Sequence, residues 1–197
     1  MSTATLDRRG PPAPAIPPEF ADVDVVSDLY RFCIGSCPQH GLCAEFGVYR
    51  GKSLRAIRDC LDVNIPLYGF DSFEGLPEQW NGFGVGSFRT SIRPDLPNTH
   101  LVIGRFEDTV PSFAKANHQN VSFFHIDCDL YSSTMTVLMG FADRIVPGTV
   151  ILFDEIFGYS GYEEHEYRAF CEFIDQTGKK FEAIARWDIY RAAIRIV

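Results

Sequence analysis

Apolar residues fall along the chain in two alternating rhythms. Short, nearly continuous apolar runs, at 42–46, 67–70, 101–103, 121–126 and 149–153, read as buried β-strands. Between them, apolar positions three and four apart predict helices over 53–61, 110–116 and 134–145, the last stopped by Pro147-Gly148. Ahead of the first strand, Val25, Val26, Leu29, Phe32 and Cys33 mark one face of a helix within 22–37. Beyond the last, 162–176 reads as a helix closed by Gly178, and 181–187 with 192–197 as a hairpin around Asp188-Ile189-Tyr190. Two segments follow neither rhythm. Residues 1–20, with Pro11, Pro12, Pro14, Pro17 and Pro18, predict an extended, mobile leader ahead of one domain over 21–197. Residues 74–97, rich in Gly, Pro and Asn, predict a long loop that is either a functional lid or without fixed structure. Strands alternating with helices, and buried on both faces, predict an α/β fold. Its sheet is doubly wound, mostly parallel and closed by an antiparallel hairpin.

Composition narrows the partners. A chain of 197 residues that is 46% hydrophobic, with 17 Phe, has material for a substantial core. With 26 acidic against 18 basic residues, it suits neither nucleic acid nor an anionic membrane. No apolar run nears the roughly 20 residues of a membrane span, and no secretory layout opens the chain. A cytoplasmic protein is the expectation, with a homo-oligomer left open. The six cysteines include no CxxC pair and predict buried reduced thiols rather than a zinc site.

The candidate chemistry begins at Glu45-Phe46-Gly47-Val48-Tyr49-Arg50-Gly51-Lys52-Ser53, where a strand turns into a helix through two glycines. Such a turn leaves free N–H groups at a helix start, where ligands are commonly bound. Glu45 favours a ligand with a cationic or hydroxyl-rich group; an ordinary β–α connection is the plain alternative. More informative is that Glu45, Asp71, Asp127 and Asp154 each close a predicted strand, at the sheet edge where α/β proteins bind ligands. Asp71 has two acceptor oxygens that match a ribose diol, or it caps a surface element. Asp127, Asp154 and Glu155 form a set of hard oxygens suited to Mg²⁺, unless they are strand-end caps. Asp129 completes a DxD with Asp127. His125 lies within a strand and reads as a core residue or a support for its neighbours. Trp80, Phe83 and Phe88 either cover a ligand or pack the loop.

Four stretches together resemble the macrocin O-methyltransferase family. They are 45–53, Gly69-Phe70-Asp71-Ser72-Phe73-Glu74-Gly75-Leu76-Pro77-Glu78, His125-Ile126-Asp127-Cys128-Asp129-Leu130-Tyr131-Ser132-Ser133-Thr134 and Phe153-Asp154-Glu155. The resemblance runs from about Cys43 to Tyr159 and implies a class I, Rossmann-like, seven-stranded methyltransferase using S-adenosylmethionine. It implies that Glu45, Gly47, Gly51 and Ser53 hold the methionine part and Asp71 the ribose. Ser72, Phe73, Gly104, Arg105 and Phe106 are then expected around the adenine, and Asp127 beside the cofactor. Asp127, Asp154 and Glu155 match the family's magnesium ligands, although the family usually has Asp-Asp where this chain has Asp154-Glu155. The family's N-terminal lid segment is largely replaced by the Pro-rich leader.

The sequence thus predicts a magnesium-assisted O-methyltransferase of natural-product biosynthesis, with Asp127 or Asp129 taking the proton from a substrate hydroxyl. Its rivals are a non-catalytic module that binds the cofactor and a glycosyltransferase using the DxD. The glycosyltransferase leaves 45–53 and Asp154 idle. A NAD enzyme is disfavoured because the first turn lacks GxGxxG.

Overall fold

The computed structural model describes residues 21, 22 and 26–197, so the expected leader lies outside the described residues. The chain forms β1 (Ala21–Asp22), α1 (Val26–Ser36), β2 (Leu42–Phe46), α2 (Lys52–Cys60), β3 (Leu67–Asp71) and β4 (Thr99–Ile103). It continues through α3 (Phe106–Ala116), β5 (Val121–Ile126), α4 (Tyr131–Gly140), β6 (Val150–Phe153), α5 (Glu166–Thr177), β7 (Phe181–Trp187) and β8 (Arg191–Ile196). One sheet runs in the order β1-β7-β8-β6-β5-β2-β3-β4. Strand β8 is antiparallel to both β6 and β7, and every other pair is parallel. These are the seven expected strands and the expected hairpin. The two-residue β1, too short to leave a hydrophobic pattern, extends the β7 edge.

Successive side chains of a strand face opposite ways, and here both faces are covered. On β5, Phe124 joins the core beneath α3, α4 and α5, while the preceding Phe123 joins the core beneath α1 and α2. The first core is built on rings: Phe46 stacks on Phe70 at 4.7 Å and meets Phe124 edge-on at 4.9 Å. Burying each such ring contributes about 1.5–3 kcal/mol. Five cysteines are buried and Cys60 half-buried, all as free thiols.

Three helix boundaries differ from the sequence pattern. Helix α3 begins at Phe106 because Glu107 and Asp108 suit the positive end of its dipole, with Pro111 inside it. Helix α4 begins at Tyr131 and ends at Gly140, whose Cβ position lies against Val110. The apolar residues after it belong to a turn in which Arg144 and Ile145 N–H donate to Phe141 O. The segment expected as one helix from 162 is a single 3₁₀ turn, Tyr162–Glu164, followed by α5, with His165 outside helical geometry between them. The 74–97 segment contains no helix, and its one isolated bridge joins Trp80 to Phe83. No helix among the described residues is long and apolar enough to cross a membrane.

Candidate active site

Strand register brings the site together. Phe46 pairs with Ile126 and Ile126 with Phe153, so Gly47, Asp127 and Asp154 emerge side by side. Asp127 N–H donates to Phe46 O at 2.9 Å, and Asp154 N–H to Ile126 O at 2.9 Å. The chain winds outward from β2 through β3 to β4, and the other way from β5 to β6, so a crevice opens between β2 and β5. Gly47 is required there. Its φ is +95°, and a Cβ would lie 1.7 Å from the Asp127 carbonyl oxygen. Gly51 heads α2 at φ +77°, and its Cβ would strike Pro94, so the long loop folds back over the turn.

Asp71 ends β3 and holds this turn from beneath. Its Oδ2 accepts Val48 N–H at 2.9 Å and Tyr49 N–H at 2.7 Å, and its Oδ1 accepts Phe73 N–H at 2.6 Å. Each oxygen has two lone pairs, so Asp71 lines the crevice with acceptor capacity remaining.

Behind the turn runs a buried chain of alternating charge. His125 Nδ1 lies 2.9 Å from Glu45 Oε1, both side chains fully buried, and His125 Nε2 lies 3.5 Å from Asp154 Oδ1. Arg191 then grips Asp154, Nε to Oδ1 at 2.6 Å and Nη2 to Oδ2 at 2.8 Å, while its Nη1 donates to Asp188 at 2.7 Å. Tyr30 of α1 packs edge-on against the imidazole at 5.4 Å. Burial opposes a charge on His125, but Asp154 and Glu45 outweigh it and lift its pKa to about 10. Burial likewise raises Asp154, yet His125 and Arg191 bring it below its ordinary value. Glu45 is pushed up by burial, with His125 and Ser53 opposing.

Asp127, Asp129 and Glu155 face the crevice. Burial and the neighbouring Asp154 raise the Asp127 carboxyl well above its usual range. Asp129, held at φ +64°, is raised by burial and then by Glu155, and burial raises Glu155 as well. Glu166, from the first turn of α5, is almost fully buried nearby. Its Oε2 accepts Glu155 N–H at 3.3 Å and its Oε1 has no partner. Carboxylates crowded in this way fit a hard cation, which Mg²⁺ proteins supply with one or two carboxylates plus water and substrate. Asp129 and Glu155 line the crevice, whereas Asp154 does not and its charge is already paired with Arg191. Among the described residues, the one trio with ligand atoms within 4.8 Å of one another is Glu45, His125 and Asp127. Both ring nitrogens of His125 already face carboxylates, Nδ1 that of Glu45 and Nε2 that of Asp154, so that trio is read as an ion-pair cluster.

The sequence profile described as "Methyltransferase domain" matches residues 44–156, more than half of the chain. The chain belongs to the methyltransferase-domain family. No curated protein sequence matches this methyltransferase. Its fold is similar to that of CalS11, a calicheamicin methyltransferase, at 20% identity and a TM-score of 0.67, over 86% of this chain and 76% of that one. A second CalS11 structure is described as a TDP-rhamnose 3′-O-methyltransferase. The O-methyltransferase NovP aligns at 20% identity and a TM-score of 0.63, over 86% of this chain and 78% of its own. An O-methyltransferase from Bacillus cereus in complex with SAH aligns at 13% identity and 0.55, over 88% and 82%.

Within the methyltransferase, the crevice has a volume of about 280 Å³. Of the residues expected at the cofactor, Gly47, Asp71, Ser72, Gly104, Phe106 and Asp127 line it. Asp129 and Glu155, expected at the chemistry, line it too. Glu45, Gly51, Ser53, Phe73 and Asp154 do not line it; they lie in or beneath its walls. Ser53 reaches Glu45, and Phe73 is buried under the Arg93 guanidinium at 3.7 Å. Two groups gave no usable sequence signal: Arg191 sits in a hairpin and Glu166 in a helix start, and each acquires its role only from what folding places beside it. His125, expected in the core or as a support for its neighbours, lies buried between Glu45 and Asp154.

Proposed function

We propose that this methyltransferase transfers the methyl of S-adenosylmethionine to a hydroxyl of a small molecule, a sugar or other natural-product intermediate, in the manner of the macrocin O-methyltransferases. The observation that carries the reading is one crevice lined at once by Asp71 and by Asp127, Asp129 and Glu155. Ribose recognition and hydroxyl chemistry then share a single floor.

The residues fit such a cofactor on their own evidence. Glu45, fully buried behind Gly47 and reached by Ser53, places an acid beneath the point where an ammonium group would arrive beside Gly47. Asp71 keeps one lone pair, on Oδ1, for a ribose hydroxyl, and Gly104 and Phe106 line the crevice around the adenine side. The cofactor supplies a methyl already activated on sulfonium, so the protein's work is alignment and proton removal. Asp127 or Asp129, both lining the crevice, would take the acceptor's proton in carboxylate form. Mg²⁺ held by Asp129 and Glu155, with Asp127 adjoining, would lower the pKa of an acceptor hydroxyl. Asp154, bound to Arg191 and near His125, acts in this reading as a support for Asp127 and Glu45.

A non-catalytic cofactor-binding module leaves the raised pair Asp129 and Glu155 without a use. The test is methyl transfer from labelled S-adenosylmethionine to a panel of glycosides, alongside calorimetry with S-adenosylhomocysteine. Binding of S-adenosylhomocysteine without transfer to any hydroxylated acceptor would favour the module; failure to bind it would sink both readings.

A further inference from the structure

Helix α5 opens on an acid that packing does not account for. Glu163 and Glu164, in the turn before it, are exposed, whereas Glu166 is 1% exposed. His165, at φ −117° and ψ −122°, breaks the chain between that turn and α5. Glu166 therefore begins a new helix, on the same buried face as Ala169, Phe170 and Phe173.

Among the described residues, three acids are this deeply buried: Glu45, Asp154 and Glu166. Glu45 faces His125, and Asp154 is gripped by Arg191. The charges that act most strongly on Glu166 are those of Asp129, Glu155 and Asp154, all of them acids. Burying a carboxyl without a basic partner costs stability, and an apolar side chain would fill the same place without that cost. What the carboxyl holds gives the position its reason.

It holds the loop after β6. The N–H of Asp154 still bonds to the sheet, at Ile126 O, and that of Glu155 is the next along the chain. Glu166 Oε2 accepts the Glu155 N–H at 3.3 Å, which a carboxyl oxygen can do in either protonation state. The Glu155 side chain in turn lies within hydrogen-bond reach of Asp129. A second tie joins α5 to the Asp129 side, where Tyr131, the first residue of α4, donates to Glu172 at 2.7 Å. Helix α5 is thus bonded to both elements that carry Asp129 and Glu155, and Phe170 and Phe173 anchor it in the core.

We infer that Glu166 is a positioning residue for the cation: by accepting the Glu155 N–H, it fixes the Glu155 carboxylate beside Asp129. The inference rests on the reading above that Asp129 and Glu155 hold Mg²⁺.

The experiment is calorimetry with MgCl₂ on the full chain saturated with S-adenosylhomocysteine. Glu166→Leu fills the same place without an acceptor and should weaken Mg²⁺ binding about tenfold, as loss of a group that orients a metal ligand does. Glu166→Gln keeps an acceptor oxygen for the N–H and should stay within about threefold of wild type. Both variants should keep wild-type affinity for S-adenosylhomocysteine, because Asp71 and Gly104 belong to the loops after β3 and β4. A purely structural role would instead weaken both ligands together. Wild-type Mg²⁺ affinity in Glu166→Leu, an equal loss in Glu166→Gln, or an equal loss of S-adenosylhomocysteine affinity would overturn the inference alone. Where Glu166→Leu does not fold, amide exchange in the unaltered chain decides: saturating Mg²⁺ should slow exchange at the Glu155 N–H, and an unchanged rate would overturn the inference. Failure of the unaltered chain to bind Mg²⁺ would overturn the magnesium reading, and this inference with it.

Discussion

Arg191 holds Asp154 with two parallel hydrogen bonds, at 2.6 and 2.8 Å, across 37 positions of sequence. The two side chains are 22% and 11% exposed, so water compensates little if one partner is removed. Arg191→Met should therefore destabilise the protein by about 3 kcal/mol, the lower part of the range for breaking a buried pair. Urea unfolding measures this directly. Arg191→Lys restores a charge without the fork and should recover only part of the loss. A wild-type midpoint in Arg191→Met would show that Asp154 does not depend on the guanidinium.

Asp71 has a structural task as well as a proposed recognition task. Asp71→Ala leaves the Val48, Tyr49 and Phe73 N–H groups without their acceptor and removes the oxygen meant for the ribose. The expected result is at least tenfold weaker S-adenosylhomocysteine binding, about 1.4 kcal/mol. Asp71→Asn keeps one acceptor oxygen and should fall between Asp71→Ala and wild type. Unchanged affinity by calorimetry in Asp71→Ala would remove the residue from the cofactor site.

His125 sets the alkaline limb of stability. Its folded pKa, about 10, lies above the ordinary value of 6.5. The stability it contributes is therefore fully present below about pH 6.5 and is lost as pH rises through 10. Glu45, Asp127, Asp129 and Glu166 also have raised values and act in the same direction from lower pH. Asp154 is lowered and acts oppositely, losing its contribution as pH falls through its folded value. Between pH 7 and 10 the urea midpoint of wild type should drop more steeply than that of His125→Gln. Parallel curves would mean that the imidazole is neutral in the folded protein.

Asp129 and Glu155 should respond to a divalent cation without any substrate present. Mg²⁺ is expected to raise the thermal midpoint, by the equivalent of about 1.4 kcal/mol at a tenfold excess over its Kd. Asp129→Asn and Glu155→Gln should lose that response, while Asp154→Asn keeps it. Methyl transfer should fall in EDTA and return with Mg²⁺. A response that survives both Asp129→Asn and Glu155→Gln would place the cation elsewhere.

The fold was legible because its signals are local. Val121 to Ile126 contains two adjacent phenylalanines whose side chains must bury on opposite faces, and only a covered strand allows that. The glycines at 47 and 51 and the acids at strand ends were legible for the same reason. What could not be read was pairing across the chain. Arg191 looks like any polar residue opening a strand, and nothing near it in sequence points to Asp154. The expected trio Asp127, Asp154 and Glu155 rests on adjacency at the rim, which the register supplies, but which charges remain unpaired depends on Arg191. Helix α3 was read from Val110 because Pro111 suits the first turn of a helix, yet Pro111 stands sixth, where it removes one backbone hydrogen bond of the helix.

Strand β8 follows β7 in sequence but lies between β7 and β6 in the sheet. Strand β7, and β1 beyond it, therefore join the sheet only through β8. Opening the β6–β8 seam detaches all three strands in one event and draws Arg191, the first residue of β8, away from Asp154. Asp154 and His125 would then face each other without the guanidinium, and the electrostatic balance beneath the crevice would change. The far edge of the sheet thereby acts as a latch on the charge state of the site, and amide exchange along β8 would report how often that latch lifts.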